Sequence, residues 1–211
     1  MGVKAKKCLD ALEKEFPSAR PALDFTTPLE LLMATMLSAQ ATDKSVNKVT
    51  PRLFTRFKSV KDFAKAELKD IESVVSSINF YRNKAKNIKA CSEKIIAEFG
   101  GKVPATLEGL VSLPGVGRKT ANIVLGNAFS KDAFAVDTHV KRVSQRLGLS
   151  THDDPDKVEA DLCSVIPKKR WTKATQLFML HGRQTCAAKK PHCALCRISR
   201  YCGYFKTVCS T

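Results

Sequence analysis

One proline and two glycines within four residues, at Pro114, Gly115 and Gly117, interrupt an otherwise apolar stretch of the chain. The segment before them, Thr106 to Leu113, has the composition and spacing of a short helix. The segment after them, Thr120 to Phe129, predicts a second helix. Glycine supplies the positive φ that a tight reversal needs, and it allows another chain to approach the backbone closely. The pattern therefore predicts two short helices joined by a tight hairpin.

The turn of this hairpin is a candidate phosphate-binding site. Unpaired N–H groups at the start of the second helix point out of the turn, and the helix dipole attracts negative charge there. The predicted contacts are the four turn residues, which are Gly115, Val116, Gly117 and Arg118. For a glycine-containing turn alone, an ordinary pair of antiparallel helices is the alternative. Lys119, in the first turn of the second helix, favours a functional site.

Lys119 is unusual in this place. The positive end of the helix dipole disfavours a cation there by a few tenths to about 1 kcal/mol. The same field favours the neutral amine, which is the form that attacks carbon. Lys119, Asn122 and Gly126 share one small, polar stripe of the helix, so Lys119 is predicted to border a cleft. A solvated lysine that only pairs with phosphate is the alternative.

The charge of the chain points to an acidic polymer as its partner. There are 36 Lys and Arg against 20 Asp and Glu, which gives a formal net charge of +16. A membrane surface is the competing partner, but no apolar run approaches the length of a membrane span. The stretch Met1 to Lys7 also lacks the apolar region of a signal peptide. We therefore expect a soluble, intracellular protein that does not bind membranes.

Helical periodicity recurs along most of the chain. Thr27 to Glu30 form a capping-box signature before a very apolar helix, and Asp43 is a predicted cap of the next helix. Pro51 is predicted to restart the chain as a separate helix. Near the C-terminal end, Arg170 to His181 predict a helix that is closed by Gly182. No stretch shows a convincing period of two, so the predicted fold class is all-α.

The eight cysteines fall into two groups and a remainder. Those at positions 8, 91 and 163 lie within helical patterns and are predicted to be small buried hydrophobes. Four others are separated by six, two and five residues, and they are Cys186, Cys193, Cys196 and Cys202. In an intracellular protein, clustered thiolates predict a metal site, either structural zinc or an iron–sulfur cluster. Spacing alone leaves both open, and Cys209 stays unassigned.

Two sequence blocks resemble the endonuclease III family of the helix-hairpin-helix DNA glycosylase superfamily. The first is the stretch Leu113 to Asn122, and the second is Ala135 to Val140, whose Asp137 follows Lys119 by eighteen residues. The resemblance covers almost the entire chain, including the spacing of the last cysteines. It implies two helical domains that flank a DNA-binding cleft. One is a six-helix domain at 23–133 with the hairpin at 106–129, and the other is an iron–sulfur domain made of 1–22 and 134–211.

The same resemblance implies a repair enzyme and names its chemical groups. Such an enzyme removes oxidised pyrimidines from duplex DNA and cleaves the abasic site by β-elimination. Lys119 is the implied nucleophile, and Asp137 is the implied essential carboxylate. Asp137 also stands where the N-cap of the following helix is expected, and capping is compatible with catalysis. The implied cofactor is a [4Fe–4S] cluster on the four clustered cysteines.

Further DNA contacts are predicted outside the hairpin. Gln40 and Phe80 lie in interhelical turns and, by the resemblance, fill the gap that an extruded base leaves. Lys189 and Lys190, between the first two clustered cysteines, are predicted phosphate contacts. His139 is predicted to contact the DNA backbone, and a surface histidine near the cap is the alternative.

The expected partner is double-stranded DNA that carries a damaged base or an abasic site. We expect a cytoplasmic, nucleoid-associated monomer. A non-catalytic DNA-binding module is the second hypothesis, and the pairing of Lys119 with Asp137 argues against it.

Overall fold

The computed structural model describes residues 2–209, and this part of the chain contains helices but no strand. The all-α prediction is therefore confirmed. None of the described helices has both the length and the apolar character that a membrane crossing requires. The α-helices of the described part are α1 (Gly2–Glu15), α2 (Pro28–Ser38), α3 (Asp43–Arg56), α4 (Val60–Lys65), α5 (Leu68–Val75), α6 (Tyr81–Phe99), α7 (Leu107–Val111), α8 (Arg118–Ala128), α9 (Thr138–Leu147), α10 (Pro155–Val165) and α11 (Trp171–Gln184).

The chain divides into two compact units. The first unit consists of the chain up to Arg20 and the chain from Asp132 onward, and it contains α1, α9, α10 and α11. The second unit is Pro21–Lys131, and it contains α2 to α8. The hairpin thus belongs to the second unit and the clustered cysteines to the first.

The helices of the first unit pack around one apolar core. Leu9 and Leu12 of α1, Val143 of α9 and Phe178 of α11 are all almost completely buried in it. The cysteine-rich segment after α11 also touches this core, through buried Ile198. The apolar face of each helix, rather than its individual propensity, accounts for the stability of this unit.

Gly182 has a packing role and does not end α11. The helix continues to Gln184, so the prediction that Gly182 closes it is wrong. A Cβ atom at position 182 would lie only 2.9 Å from the Cβ of His139 on α9. Glycine is needed here because α9 and α11 approach each other closely at this point.

Helix α6 is the central element of the second unit. It packs against α2, α4 and α5, while α8 packs against α2 and α7. The core between these helices includes Leu31, Leu37, Phe63 and Ile88, all of them fully buried. The loops before α3 and before α6 therefore start from well-packed helix ends.

Two predicted boundaries of α3 are wrong. Thr42, rather than Asp43, is the N-cap, and its Oγ1 accepts a hydrogen bond from the backbone N–H of Ser45 at 3.1 Å. Pro51 does not restart the chain, because α3 runs without a break from Asp43 to Arg56. A proline inside a helix removes one backbone hydrogen bond. Buried Val49 and Leu53, one on each side of Pro51, pack both halves of the helix against the unit.

The capping box of α2 forms only in part. Thr27 is the N-cap, as predicted, and its Oγ1 accepts from the N–H of Glu30 at 3.2 Å. The Glu30 carboxylate does not accept a hydrogen bond from the backbone N–H of Thr27, as a complete capping box requires. It accepts instead from the backbone N–H of Thr26 at 2.6 Å and from the Thr26 hydroxyl at 2.8 Å.

Candidate active site and DNA interface

The hairpin between α7 and α8 depends on Gly115. Its φ is +75°, which lies in the left-handed region. A Cβ atom at this position would lie 2.8 Å from the Cβ of Asn87 on α6. The turn is closed by the N–H of Val116, which donates to the carbonyl of Leu113 at 3.1 Å. Gly115 is therefore required by its backbone conformation and by the space beside it.

Gly117 is different, because the fold does not require glycine at this position. Its φ is −89°, and nothing lies within 4 Å of a Cβ atom built there. Gly117 is the N-cap of α8 and makes no side-chain cap, so no cap side chain occupies the first N–H groups of this helix. A bare helix start of this kind leaves room for an anion to approach the backbone.

Lys119 is the second residue of α8, and its side chain is exposed. Its place in the first turn agrees with the sequence prediction. Asn122, on the same stripe of α8, is only 5 % exposed. Packing does not hold the Lys119 amine, and the amine is open to a ligand.

Asp137 is the N-cap of α9, as its position in the sequence predicted. Its Oδ1 accepts a hydrogen bond from the N–H of Val140 at 2.7 Å, and the residue is half-buried. The cap uses one carboxylate oxygen and leaves Oδ2 outside it. The helix therefore orients a charged carboxylate whose second oxygen can face a ligand.

His139, in the first turn of α9, is half-buried. Its Nδ1 lies 3.0 Å from Nη2 of Arg142, and the guanidinium can only donate, so Nδ1 accepts. Burial lowers the pKa of His139, and the charges of Arg142 and Arg183 lower it further, against an opposing effect of Asp137. A histidine with a lowered pKa is mostly neutral at pH 7, so it adds little charge to a DNA contact.

Gln40 and Phe80 lie in two loops that the second unit brings together. The side chain of Asn79 donates from Nδ2 to the carbonyl of Gln40 at 3.4 Å. Both residues have left-handed backbones, with φ of 53° at Gln40 and 58° at Phe80. Among the described non-glycine residues, only Ser130 shares this feature. The conformation costs about 1–2 kcal/mol per residue and is concentrated at functional sites.

The exposure of these two loop residues fits a ligand-facing role. The Phe80 side chain is 64 % exposed although it is large and apolar, and Gln40 is exposed as well. Backbone strain and side-chain exposure therefore coincide at these two positions.

The four clustered cysteines line a single cavity in the first unit. It encloses about 370 Å³, including space that is open to solvent. Helices α9 and α11 contribute Arg146, Leu147 and His181 to its wall. Within residues 2–209, no group of three or more His, Cys, Asp or Glu side chains is close enough to bind a single metal ion.

Two basic side chains contact the cysteine sulfurs. Nη1 of Arg146 donates to Sγ of Cys186 at 3.2 Å, and Nε2 of His181 lies 3.7 Å from Sγ of Cys196. Burial lowers the pKa of His181 to about 4 and raises the pKa of the Cys196 thiol. The His181 Nδ1 atom is buried and makes no hydrogen bond within the described chain.

Lys189 and Lys190 are exposed on the loop that follows Cys186. The Arg146 guanidinium holds the start of this loop, because it donates to the carbonyls of Ala187 at 2.7 Å and Ala188 at 2.8 Å. One arginine of α9 thus contacts a cysteine sulfur and the loop that carries the two lysines.

The remaining cysteines agree with the prediction of buried hydrophobes in two cases. Cys8 and Cys91 are fully buried, and burial raises the pKa of each thiol to about 12. Cys163 on α10 is only half-buried. The side chain of Cys209 lies outside the described part of the chain.

The chain is similar to a family of DNA repair proteins. Residues 33–168 match the HhH-GPD superfamily base excision DNA repair protein family. The chain belongs to the HhH-GPD superfamily. The resemblance noted from the hairpin and the block around Asp137 is thereby confirmed.

Similarity to individual members of the HhH-GPD superfamily extends over nearly the whole chain. Endonuclease III of Synechocystis sp. is 48 % identical over 200 residues, which are 94 % of this chain and 91 % of that protein. A solved non-covalent endonuclease III–DNA complex has a TM-score of 0.94 and 42 % identity, and the match covers 100 % of this chain and 99 % of that one. A trapped endonuclease III–DNA covalent intermediate has a TM-score of 0.92 and 42 % identity, covering 98 % and 97 %.

Three residues around this HhH-GPD site were not found from the sequence. Asn87 packs beneath Gly115, Arg146 supports the cysteine-rich loop, and Lys84 of α6 is buried behind the Phe80 loop. None of them stands in a recognisable motif. Only the tertiary contacts reveal them, since each acts on a residue far away in the sequence.

Proposed function

We propose that this protein is a DNA glycosylase of base excision repair with abasic-site lyase activity. It removes oxidised pyrimidines from duplex DNA and then breaks the strand by β-elimination. Membership of the HhH-GPD superfamily and full-length similarity to endonuclease III support this function. The observation that carries it is the exposed lysine, Lys119, in the first turn of a helix that directly follows a glycine hairpin.

Lys119 is the proposed nucleophile. Its neutral amine forms a bond to C1′ of the damaged nucleotide while the bond from C1′ to the base breaks, and the base leaves with the bonding electrons. The nitrogen then loses a proton and the sugar ring opens, which gives a Schiff base. Removal of a proton from C2′ expels the 3′ phosphate and breaks the strand. The trapped covalent intermediate of endonuclease III with DNA supports this route.

Asp137 is the proposed electrostatic partner of this reaction. Positive charge develops on the sugar as the base leaves, and a carboxylate stabilises such a cation. The N-cap hydrogen bond to Val140 orients the carboxylate and leaves Oδ2 outside the cap. Asp137 also offers an acceptor for the proton that Lys119 must lose.

DNA is bound by backbone groups and by side chains in this proposal. The N–H groups of Gly115 and Gly117, on either side of Val116, bind a phosphate at the start of α8. Arg118, Lys189, Lys190 and His139 contact the backbone of the duplex. Phe80 and Gln40 occupy the space that the extruded base leaves. One chain supplies all of these groups, so a monomer suffices, and a cytoplasmic, nucleoid-associated location follows from the substrate.

We also propose that Cys186, Cys193, Cys196 and Cys202 hold a [4Fe–4S] cluster. Cysteine thiolates are the ligands that such clusters use, and the four thiols line one cavity. The six, two and five residue spacing of these cysteines resembles that of the endonuclease III family, which favours the cluster over a single zinc ion. The Arg146 donor to Cys186 also fits an anionic sulfur. When bound, the cluster supplies structural support for the loop with Lys189 and Lys190.

The function is tested with two labelled duplexes, one with thymine glycol and one with a preformed abasic site. Each is incubated with the protein, with and without borohydride, which reduces a Schiff base to a stable adduct. We expect strand cleavage of both duplexes and a covalent protein–DNA adduct with borohydride. Retardation of both duplexes without cleavage or adduct would favour a non-catalytic binding module instead.

A further inference from the structure

Lys84 of α6 is buried four residues after Phe80, and its side chain reaches the last turn of α2, just before Gln40. We propose that Lys84 is a positioning residue that keeps the loops of Gln40 and Phe80 in one arrangement. Base removal requires an opened duplex, and cleavage of a preformed abasic site requires much less opening. The inference rests on the proposed function and assigns a role within it to Lys84.

Lys84 connects the two helix ends from which these loops extend, the start of α6 and the end of α2. The side chain of Lys84, only 7 % exposed, donates from Nζ to the carbonyl of Leu37 at 2.8 Å. Leu37 lies in the last turn of α2, three residues before Gln40. The backbone N–H of Lys84 donates to the carbonyl of Phe80 at 3.2 Å. The second bond is the ordinary backbone bond of the first turn of α6, so the Lys84 side chain itself fixes the end of α2 to the helix turn that follows Phe80.

The contact of Lys84 completes the carboxyl end of α2. The Ser38 carbonyl accepts from the N–H of Ala41 at 3.1 Å, and the Thr35 carbonyl accepts from the Ser38 hydroxyl at 2.8 Å. The Leu37 carbonyl accepts a hydrogen bond from Nζ of Lys84 instead. The negative end of the helix dipole favours a cation at this point.

A buried lysine at this position has a desolvation cost, and the bond to the Leu37 carbonyl offsets part of it. Burial lowers the pKa of Lys84, because the charged form loses its hydration. An apolar side chain of the same length would fill the space without this desolvation. What the lysine adds is a directed bond from α6 to the last turn of α2, just before the Gln40 loop.

A second bond joins the same two loops at the surface. It is the hydrogen bond from Asn79 Nδ2 to the Gln40 carbonyl, at 3.4 Å. Gln40 and Phe80 both hold left-handed backbones, which persist only where surrounding contacts impose them. The Lys84 and Asn79 bonds are contacts of this kind.

The same helix provides a matched control for Lys84. Nζ of Lys89 donates to the carbonyls of Ala64 at 2.7 Å and Ala66 at 2.8 Å, at the carboxyl end of α4. Lys84 and Lys89 thus make the same kind of bond to the end of a neighbouring helix. Only Lys84 makes it beside the two loops.

The first experiment compares Lys84→Met with Lys89→Met in the full-length protein. Single-turnover rates are measured on the thymine glycol duplex and on the abasic duplex. The ratio of the thymine glycol rate to the abasic rate is then compared with that of the wild-type protein. We expect Lys84→Met to lower the ratio by about tenfold, and Lys89→Met to leave it within about twofold. Thermal unfolding of both variants shows how much stability each has lost.

Non-additivity tests whether Lys84 acts through the Phe80 loop. Once Phe80→Ala has removed the ring, Lys84→Met should lower the ratio little further. In the double variant Phe80→Ala with Lys89→Met, the two changes in the logarithm of the rate ratio should simply add, because the two residues act independently. Full addition in the Lys84 and Phe80 double variant would overturn the inference.

A surface variant decides the question if Lys84→Met fails to fold. Asn79→Ala removes the bond to Gln40. Asn47→Ala is its control, because Asn47 donates to the Ala22 carbonyl at 2.9 Å and accepts from the N–H of Asp24 at 3.1 Å, and neither bond involves Gln40 or Phe80. We expect Asn79→Ala alone to lower the ratio, and an unchanged ratio would overturn the inference. The proposed function fails separately, if the wild-type protein cleaves neither duplex.

Discussion

Lys119 occupies a place that the helix dipole disfavours for a cation, and its exposed side chain gains little from packing. Loss of the charge should therefore not reduce the stability of the second unit. Any loss of activity in a variant at this position reports on chemistry rather than on folding.

We expect Lys119→Gln to abolish strand cleavage and the borohydride-trapped adduct on both duplexes. Glutamine keeps a polar side chain but has no amine that can attack carbon. Lys44→Gln is the matched control, because Lys44 is also exposed and is also the second residue of its helix, α3. DNA retardation should persist in both variants. An adduct formed by Lys119→Gln on abasic DNA would assign the nucleophile to another amine.

Asp137→Asn separates the cap from the charge. Asparagine retains an acceptor for the N–H of Val140, so the free energy of unfolding should change by less than the cost of about 1 kcal/mol expected for alanine. Removal of thymine glycol should fall severely, because the charge that stabilises the sugar cation is lost. Cleavage of abasic DNA should persist in part, since the base has already left.

The control for this variant is another N-cap of the first unit. Asp154 caps α10 by accepting from the N–H groups of Asp156 at 2.9 Å and Lys157 at 3.1 Å. Asp154→Asn should leave both activities near the wild-type level. Equal losses in Asp137→Asn and Asp154→Asn would reduce the role of Asp137 to capping.

At the scale of elements, the hairpin contains two glycines with different physical requirements. Gly115 has a left-handed backbone and no room for a side chain beside Asn87. Gly117 has an ordinary φ and open space around it. The first glycine is needed by the fold, and the second is explained by a ligand that approaches the backbone.

We therefore expect opposite outcomes for the two alanine variants of the hairpin. Gly115→Ala should lower the free energy of unfolding by about 1–3 kcal/mol, through backbone strain and overpacking. Gly117→Ala should leave thermal unfolding nearly unchanged and weaken binding to undamaged duplex DNA. Unchanged affinity in Gly117→Ala would remove this turn from the interface.

The loop after Cys186 is a second element with a testable DNA contact. Affinity for duplex DNA falls by about 0.9 log units per log unit of salt for each phosphate that a protein contacts. Joint replacement of Lys189 and Lys190 by alanine should reduce this slope by about one to two units. The same change at Lys6 and Lys7, an exposed pair on α1, should alter it less. Equal slopes in the two double variants would contradict a specific contact by the loop.

For the whole molecule, the cofactor is the property to measure first. We expect purified protein to be yellow-brown and to contain about four irons per chain, as a [4Fe–4S] cluster requires. Cys196→Ser should lower the iron content and the thermal stability, while Cys163→Ser, at a half-buried site on α10, should retain iron. Colourless, zinc-containing protein that still cleaves DNA would refute the iron assignment.

Much of the fold follows from local sequence signals. The start of α2 at Thr27 and the cap of α9 at Asp137 are both where capping chemistry predicts them. These signals act between residues a few positions apart, so the sequence contains them completely. The candidate nucleophile and the four clustered cysteines were found in the same way, from short motifs.

Other features depend on contacts between distant parts of the chain. The Lys84 side chain bonds a carbonyl 47 positions away, and Arg146 bonds a carbonyl 41 positions away. Neither partner can be inferred from spacing, because only packing of the helices brings them together.

The sequence by itself determined the fold class, the main helices and the hairpin, and it supplied the candidate site residues, since periodicity, caps and short motifs act locally. Tertiary structure alone decided that α3 continues through Pro51, that Gly182 serves helix packing, and that Gly115 lies against Asn87. A packed core can outweigh a local helix-breaking signal, because burial on both sides of the break stabilises both halves. Packing of the helices also decides which atoms of distant residues come into contact, and no local sequence pattern specifies these contacts.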